Sequence, residues 1–354
     1  MRKSIAVLLA AAMTASLAAC GGTSSTKTTE TSAVQQDTTE TEKTSDNSTS
    51  GEVVTLKIGN AMTSDHPWNE ATEELIEKAK EYSNGRLIIE NYSDATLGTE
   101  AELLEQVKTG TLDMCIVDPS VGTTYSKKLQ LFALPFLFKD KAQWSAALDG
   151  QAGKDYADVI EDETGIKILS YWGGSTRNVL SVKEPITDIS QLKGFKLRLA
   201  ASELKFKVWE AVGCLPVEVA FGETYSALSS GLCDGMENEM PSILSAKFYE
   251  VAPYLTKTEH EITVRPVFMN AECFNSLDSA LQDALVKAME ETTPDARQLE
   301  EDYGKKAEET MVNDFGLKEV EIDKQPILDA VSPVFNDFGE ETRLTDIIKE
   351  FQES

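Results

Sequence analysis

The sequence lacks most of the residue patterns on which enzymes and metal sites depend. It has only two histidines, His66 and His260, and it contains no HExxH motif, no paired His/Cys cluster and no carboxylate-glycine calcium loop. It has no GxSxG elbow, and "GGST" at 173–176 lacks the lysine and spacing of a phosphate-binding loop. We therefore expect no metal, no cofactor and no enzyme activity.

Positive charge is scarce. The 354 residues include 33 Lys and Arg against 60 Asp and Glu, a formal net charge of −27. This balance argues against binding to nucleic acid or to an anionic membrane surface. Any site for an anionic ligand must therefore concentrate its few basic residues locally.

The cysteines form no CxxC motif. Cys115, Cys214, Cys233 and Cys273 are widely separated, and each lies among apolar or small residues. Buried free thiols are the simplest expectation. One or two disulfides remain open for an exported protein, because spacing alone cannot assign pairs.

Long apolar runs are absent except at the N-terminus. Arg2 and Lys3 precede an apolar stretch over residues 5–19. It is shorter than the roughly 20 residues of a membrane-spanning helix. We therefore predict a secretory signal peptide over residues 1–20. Its end, "LAAC" followed by Gly21, resembles a bacterial lipobox, so Cys20 is the expected lipidation site. The alternative is a plain secretory signal with a chance cysteine.

The segment that follows is polar. Residues 21–51 are mostly Thr, Ser, Asp, Glu and Gln and hold almost nothing apolar. Such a composition cannot bury enough surface to offset its ordering entropy, so we predict a disordered tether. The folded body is then expected over residues 52–354.

Strand and helix patterns alternate along this body and predict an α/β fold. Two clusters of strands indicate two lobes with a ligand cleft between them, followed by a helical C-terminal segment. We place lobe 1 at about 52–174 plus about 262–300, and lobe 2 at about 175–261. The predicted strands lie at 53–61, 86–92, 112–118, 165–172, 195–200, 216–221, 262–270 and 317–322, and the predicted helices include 69–82, one that begins after Thr99 and ends at Gly110, 203–212 and 222–231.

Several motifs together resemble a known family. They are "LGTEAELLEQVKTGTLDM", "FALPFLF", "QLKGFKLRLA", "VAFGETYSALSSGLCDGMEN" and "AKFYEVAPYLTKTEH", in this order, within about residues 53–300. The chain resembles the DctP-type solute-binding proteins of TRAP (tripartite ATP-independent periplasmic) transporters. The resemblance implies a two-lobe periplasmic-binding-protein-like fold that captures a small organic acid and delivers it to membrane permease subunits. A monomer is expected.

The resemblance also implies site residues. Arg198 matches the arginine that grips the ligand carboxylate at two points, which suits the planar fork of a guanidinium. Asn238 matches an asparagine that hydrogen-bonds the same ligand, and Phe221 matches an apolar cleft residue. Arg177 matches a second arginine of the family, which binds further polar groups of the ligand. His260 matches a histidine near the site, with a purely structural role as the alternative.

Three further residues are weaker candidates. Asp118 is the last residue of a predicted strand, where α/β sheets present ligands, and a strand-terminus or capping role is its alternative. Glu237 is expected to face the cleft or to cap the next helix. Asn60 lies in the loop at the end of a strand and is a further candidate for ligand contact. Glu239 stands where the family commonly has proline, which indicates either a ligand with a polar or positive second end or a glutamate turned to solvent.

Two other functions remain open from the sequence. A ligand-binding partner of a membrane sensor kinase would have the same fold and site. An extracellular enzyme acting on organic acids or sugars is disfavoured by the sparse histidines and by the missing nucleophile motifs. The sequence does not name the ligand, and C4-dicarboxylates, sialic acid-like sugar acids, keto acids and aromatic acids all fit the resemblance.

Overall fold

The computed structural model describes residues 51–354. The predicted signal peptide, Cys20 and nearly all of the predicted tether lie outside the described residues. Within the described part, every helix is too short or too polar to serve as a membrane span.

Strands and helices alternate over most of the described chain, as the sequence predicts for an α/β fold. The strands are β1 (Val54–Asn60), β2 (Leu87–Tyr92), β3 (Met114–Ile116), β4 (Ile166–Ser181), β5 (Lys196–Leu199), β6 (Leu215–Glu218), β7 (Gly235–Glu239), β8 (Tyr254–Asn270) and β9 (Lys318–Glu321). The helices are α1 (Pro67–Tyr82), α2 (Glu100–Thr109), α3 (Lys141–Asp149), α4 (Gln151–Thr164), α5 (Glu203–Val212), α6 (Thr224–Ser229), α7 (Met240–Ser245), α8 (Ala271–Ser276), α9 (Ser279–Asn313), α10 (Gln325–Thr342) and α11 (Thr345–Glu353).

The strands form one mixed sheet in the order β2-β1-β3-β8-β4-β7-β5-β6, with β9 paired to β8. At one end β1 runs parallel to β2 and β3, and at the other β5 runs parallel to β6 and β7. The antiparallel strands β8 and β4 connect these two parallel groups. The sheet therefore contains the two strand clusters that the sequence predicts.

The two connecting strands are much longer than predicted. Residues 165–172 and 262–270 were expected as strands, but β4 continues to Ser181 and β8 begins at Tyr254. Gly173 and Gly174 lie in the middle of β4 with φ of 104° and 110°, and the β4–β8 register shifts between Gly173 and Thr176. In a sequence, two consecutive glycines usually predict the end of a strand. The partner strand supplies the hydrogen bonds that keep the backbone extended beyond them.

Helix ends follow local capping chemistry. The predicted capping box of α2 is confirmed, because Thr99 accepts from the Glu102 N–H while the Glu102 carboxylate accepts from the Thr99 N–H. Gly110 ends this helix with φ of 75°. Helix α1 begins two residues earlier than predicted, since the His66 side chain caps it and Pro67 occupies its first turn.

Apolar residues of the strands and helices form three buried clusters. Leu56 and Ile58 of β1 pack in one cluster with Leu75 of α1 and Leu285 of α9. The four cysteines within the described residues are free thiols, three of them buried and Cys273 half-buried. This confirms the free-thiol expectation for those four.

Candidate functional site

The sheet brings most of the predicted site residues to neighbouring strands. Strand β7, which carries Glu237 and Asn238, lies between β4 and β5, which carry Arg177 and Arg198. Arg177 is directly opposite Glu239 in the β4–β7 ladder, and Arg198 is opposite Met236 in the β5–β7 ladder. Residues that are distant in the chain thus meet across a few strands.

Arg198 is a buried cation without a carboxylate partner among the described residues. The residue is only 2% exposed, and its neighbours in β5, Leu197 and Leu199, are fully buried on the opposite face of the strand. Its Nε and Nη2 donate to the Val219 carbonyl at 2.9 and 2.7 Å. Burial lowers the pKa of Arg198 to about 10, since the nearby carboxylate of Glu237 compensates it only in part. A carboxylate brought to this guanidinium would relieve the buried charge.

Arg177 is held by two protein carboxylates. Its Nε and Nη2 donate to the two oxygens of Glu237 at 2.6 and 2.8 Å, and its Nη1 donates to Glu239 at 2.5 Å. Burial alone would lower the pKa of Arg177, but Glu237, Glu239 and Glu261 outweigh it and raise the pKa. All three nitrogens serve the protein, so a ligand contact by Arg177 stays a prediction.

Glu237 is therefore a buried ion-pair partner. It is 1% exposed, and His260 Nε2 lies 3.3 Å from its Oε2. The His260 Nδ1 lies 2.9 Å from the Thr258 hydroxyl, and its ring stands edge-on to Trp209 at a centroid distance of 5.0 Å. Every polar atom of the imidazole has a protein partner, which favours the structural alternative for His260.

Asp118 forms an ion pair that the sequence did not predict. Its Oδ2 lies 2.6 Å from Lys205 Nζ on α5, while its Oδ1 accepts from the backbone N–H and hydroxyl of Ser120. Burial would raise the pKa of Asp118, but Lys205 and Arg265 hold it well below its usual range. Both carboxylate oxygens are in use, so a direct ligand contact by Asp118 also stays a prediction.

A signal for Lys205 is present in the sequence. Lys205, Val208, Trp209 and Val212 occupy the i, i+3, i+4 and i+7 positions of one helical face, and all four are buried. A lysine in an apolar stripe of this kind needs a buried counterion. Asp118 supplies that counterion.

Glu239 is buried, not turned to solvent, so that alternative is wrong. It is 2% exposed and accepts from Arg177, from the Ser242 hydroxyl at 2.6 Å, and from Arg265 Nη2 at 3.4 Å. Arg265 of β8 was missed from the sequence, although it lies among apolar strand residues just as Arg198 does. Burial raises the pKa of Glu239, but Arg177 and Arg265 reverse the effect and lower it.

Asn238 has an amide donor without a partner among the described residues, and Phe221 is only partly buried. Asn238 is 4% exposed and its Oδ1 accepts from the Glu239 N–H, while its Nδ2 has no acceptor within residues 51–354. Phe221 is half-buried and stands edge-on to Phe248 at a centroid distance of 5.4 Å. The Asn238 amide can therefore still donate to a ligand, whereas Phe221 packs against two buried apolar clusters and its ligand contact stays a prediction.

Asn60 is used within its own loop. Its Oδ1 accepts from the Met62 N–H at 3.0 Å and its Nδ2 donates to Asn69 at 2.9 Å. The structure therefore gives Asn60 a role in shaping the loop before α1, and its contact with a ligand stays a prediction.

Three more carboxyl groups lie near this cluster. Glu261 has Arg177 Nε and Lys205 Nζ each at 3.9 Å, whereas Glu300 and Glu100 have no cation within 4.0 Å among the described residues. Glu300 of α9 accepts from Trp68 Nε1 at 2.7 Å and from Thr263 Oγ1 at 3.3 Å. Burial raises the pKa of Glu300, and burial likewise raises the pKa of Glu100 and of Glu261. The cluster is therefore rich in both signs of charge, with more acids than bases.

Among residues 51–354, no group of three His, Cys, Asp or Glu side chains is arranged to hold a metal ion. A cavity of about 640 Å³ lies elsewhere, between α3, α4, β4 and α9, and none of the predicted site residues lines it. The chemistry that the cluster offers is a buried guanidinium surrounded by polar donors and acceptors.

Comparison with known proteins gives consistent results. The family model DctP, described as "Bacterial extracellular solute-binding protein, family 7", matches residues 58–342. A solute-binding protein of Sulfitobacter sp. NAS-14.1 is 32% identical over 297 residues, which cover 83% of this chain and 89% of that protein.

Two solved structures have closely similar folds. A TRAP periplasmic solute-binding protein from Sulfitobacter sp. NAS-14.1 with bound α-D-taluronate has a TM-score of 0.81 and 31% identity, covering 85% of this chain and 98% of that one. One from Roseobacter denitrificans with bound β-D-glucuronate has a TM-score of 0.80 and 27% identity, covering 84% and 99%. The predicted two-lobe α/β fold is confirmed by this similarity.

Proposed function

This chain belongs to family 7 of the bacterial extracellular solute-binding proteins, the DctP family of TRAP transporters, and we propose that it captures a sugar acid by its carboxylate. The family comprises periplasmic solute-binding proteins, which are transport components and not enzymes. The finer assignment of ligand class and contact residues is the proposal.

Arg198 carries this proposal. It is the arginine that is buried without a carboxylate within 4.0 Å among the described residues, whereas Arg177 and Arg265 each have one. A bound carboxylate would pair with the guanidinium in a water-poor site, where the ion pair is stronger than in water. Asn238 Nδ2 adds a directional hydrogen bond to the same ligand.

The ligands of similar proteins support a sugar acid. The Sulfitobacter and Roseobacter structures carry uronates, which combine one carboxylate with several hydroxyls. The buried carboxylates of Glu237 and Glu239 suit such a ligand, because hydroxyl groups can donate to acids that already pair with arginines. This feature favours a sugar acid over a C4-dicarboxylate, whose second carboxylate would be repelled.

The two lobes are proposed to hinge within the connecting strands. The sequence boundaries at about 174/175 and 261/262 coincide with the register shift between Gly173 and Thr176 in the β4–β8 ladder. Glycine at positive φ lets the backbone turn where other residues are strained. Closure around the ligand would expel water from Arg198.

Delivery completes the proposal. The family implies TRAP permease subunits as partners, and we propose that the loaded protein docks on them as a monomer. The lipobox-like "LAAC" supports a lipid anchor on Cys20, with residues 21–51 as the tether between the membrane and the binding domain. Anchoring would keep the protein near the permease in the membrane.

The test is thermal unfolding of the purified full-length protein against acids paired with neutral analogues. D-glucuronate, D-galacturonate, succinate and N-acetylneuraminate are compared, with D-glucuronamide as the matched amide. A ligand at about 100 times its Kd adds about 2.7 kcal/mol to stability. We expect a uronate to raise the midpoint and its amide to leave it unchanged. Equal shifts by the acid and amide would refute the carboxylate clamp, and a shift by succinate alone would refute the sugar-acid class.

A further inference from the structure

Two buried nitrogen donors near the proposed clamp have no hydrogen-bond partner among the described residues. They are His66 Nε2 and Arg265 Nε, in residues that are 1% and 4% exposed. Buried polar groups are nearly always paired, because an unpaired donor loses its water without a replacement. Two such donors in one neighbourhood therefore point to a partner from outside the chain.

The hydrogen bonds of His66 fix which nitrogen carries the proton. Its Nδ1 accepts from the Trp68 N–H at 3.3 Å, in the capping contact that begins α1. An accepting Nδ1 is deprotonated, so the proton of the neutral ring lies on Nε2. Burial lowers the pKa of His66 to about 3, which keeps the ring neutral at physiological pH. His66 Nε2 is therefore an N–H donor.

Trp68 places the two donors in one region. The His66 ring stands edge-on to the Trp68 indole at a centroid distance of 4.7 Å, and the Arg265 guanidinium carbon lies 5.6 Å from the indole centre. The indole is itself fixed, because its Nε1 donates to Glu300 at 2.7 Å. Both residues with an unpartnered donor therefore lie against the same fixed aromatic ring.

This region adjoins the clamp. Arg265 Nη2 lies 3.4 Å from Glu239, which directly follows Asn238 in β7 and is bonded to Arg177 at 2.5 Å. Donors and carboxylate acceptors therefore stand side by side here. A hydroxyl group matches this pairing, since it accepts one hydrogen bond and donates another.

We propose that His66 Nε2 and Arg265 Nε form a second ligand subsite that receives the hydroxyl-bearing end of the sugar acid. The subsite rests on the proposed function, in which Arg198 holds the carboxylate of the same ligand. His66 and Arg265 donate to hydroxyl or ring oxygens, and Glu239 and Glu300 accept from the hydroxyls. Arg198 then binds the carboxylate of the ligand, and this subsite binds the hydroxyl groups of its sugar.

Two substitutions of His66 separate its two nitrogens. His66→Asn keeps a short acceptor suited to the helix N-cap but has no group at the Nε2 position. His66→Gln extends an amide N–H toward that position. Arg265→Lys keeps the positive charge facing Glu239 and removes the Nε donor. All three are measured in the full-length protein beside the wild type and Arg198→Ala, by calorimetric titration with D-glucuronate and D-galacturonate and by unfolding without ligand.

We expect His66→Asn and Arg265→Lys each to weaken uronate binding about tenfold, the size of one lost hydrogen bond in a buried site. His66→Gln should recover part of the loss, and the ligand-free unfolding midpoint of His66→Asn should stay near that of the wild type. Affinity of His66→Asn within about threefold of the wild type, or a loss that His66→Gln does not reduce, would overturn the subsite.

The same titrations separate this inference from the proposed function. If the wild type binds a uronate and Arg198→Ala does not, while His66→Asn binds like the wild type, the subsite fails and the clamp stands. If the wild type binds neither uronate, the proposed function fails and the subsite falls with it.

Discussion

Lys205 Nζ lies 2.6 Å from Asp118 Oδ2, which joins two residues that are 87 positions apart in the chain. The pair is buried, with side chains that are 3% and 9% exposed. It connects α5, which follows β5, with the turn after β3 in the other parallel group of strands. Both side chains are nearly closed off from bulk solvent, so breaking the pair would leave a buried charge without its nearest partner.

Removing one member of this pair should strongly destabilise the fold. Lys205→Met leaves Asp118 as a buried charge and should cost about 3–5 kcal/mol. The double variant Asp118→Asn, Lys205→Met should recover much of this loss. Urea denaturation of the wild type and of both variants measures these free energies of unfolding. Lys207→Met is the matched control, since Lys207 lies on the same helix with a side chain that is 47% exposed. A loss for Lys205→Met no larger than for Lys207→Met would contradict the prediction.

Arg198→Ala should abolish most of the ligand affinity. Truncating one member of a buried charge pair costs about 2–5 kcal/mol of binding. Arg198→Lys should also bind weakly, because an ammonium cannot match both carboxylate oxygens. Calorimetric titration with the best uronate of the panel gives the values. The control is Lys196→Ala, an exposed residue of the same strand, which should bind like the wild type. Less than about tenfold weakening for Arg198→Ala would remove Arg198 from the clamp.

His66 should make the protein less stable in mild acid. The pKa of its ring falls from 6.5 to about 3 on folding, mainly by burial, with Glu239 and Asp65 opposing and Arg265 reinforcing the shift. The unfolded chain therefore binds a proton between these values and the folded chain does not. Its contribution to stability is complete above pH 6.5 and declines as the pH falls toward 3.

The measurement compares the wild type with His66→Asn, which does not titrate. Over this range the wild type should lose up to about 1.4 kcal/mol more per pH unit than the variant. Urea denaturation at a series of pH values gives the two slopes. Parallel slopes would show that His66 is not buried in its neutral form.

Gly173→Ala should destabilise the connecting strands. A Cβ on Gly173 would lie 2.5 Å from the Thr263 carbonyl oxygen, and its φ of 104° is strained for other residues. The expected loss is about 1–3 kcal/mol from the backbone conformation alone. Gly222→Ala is the control, because a Cβ there meets nothing within 4 Å. Equal stabilities of the two variants by denaturation would contradict the strain argument.

Local patterns predicted much of the fold. The capping box of Thr99 and Glu102 depends on residues three positions apart, and the structure confirms both of its hydrogen bonds. The second halves of β4 and β8 could not be predicted in this way. Their extended backbone depends on pairing between strands whose partners lie some 70 to 100 residues away, as in Ser170↔Val267 and Ser181↔Tyr254.

The sequence predicted candidate residues for the site, but not the partners of their side chains. Arg198 and Asn238 were identified from their motifs. In the structure each keeps N–H groups without an acceptor among the described residues, which is compatible with ligand contact. The partners of the other candidates were not identifiable. The apolar patterns around Lys205 and Arg265 indicate buried cations, but only folding shows that Asp118 and Glu239 are their counterions.

The strand and helix periods, the capping signals and the family could all be recognised without a structure, because they depend on residues close together in the chain or on motifs in fixed order. Only the tertiary structure decided which charges pair. Arg177 pairs with Glu237 and Glu239, Lys205 pairs with Asp118, and Arg198 keeps no carboxylate among residues 51–354. The physical reason is that an ion pair depends on distance in space and on exclusion of water, and both arise when distant strands meet.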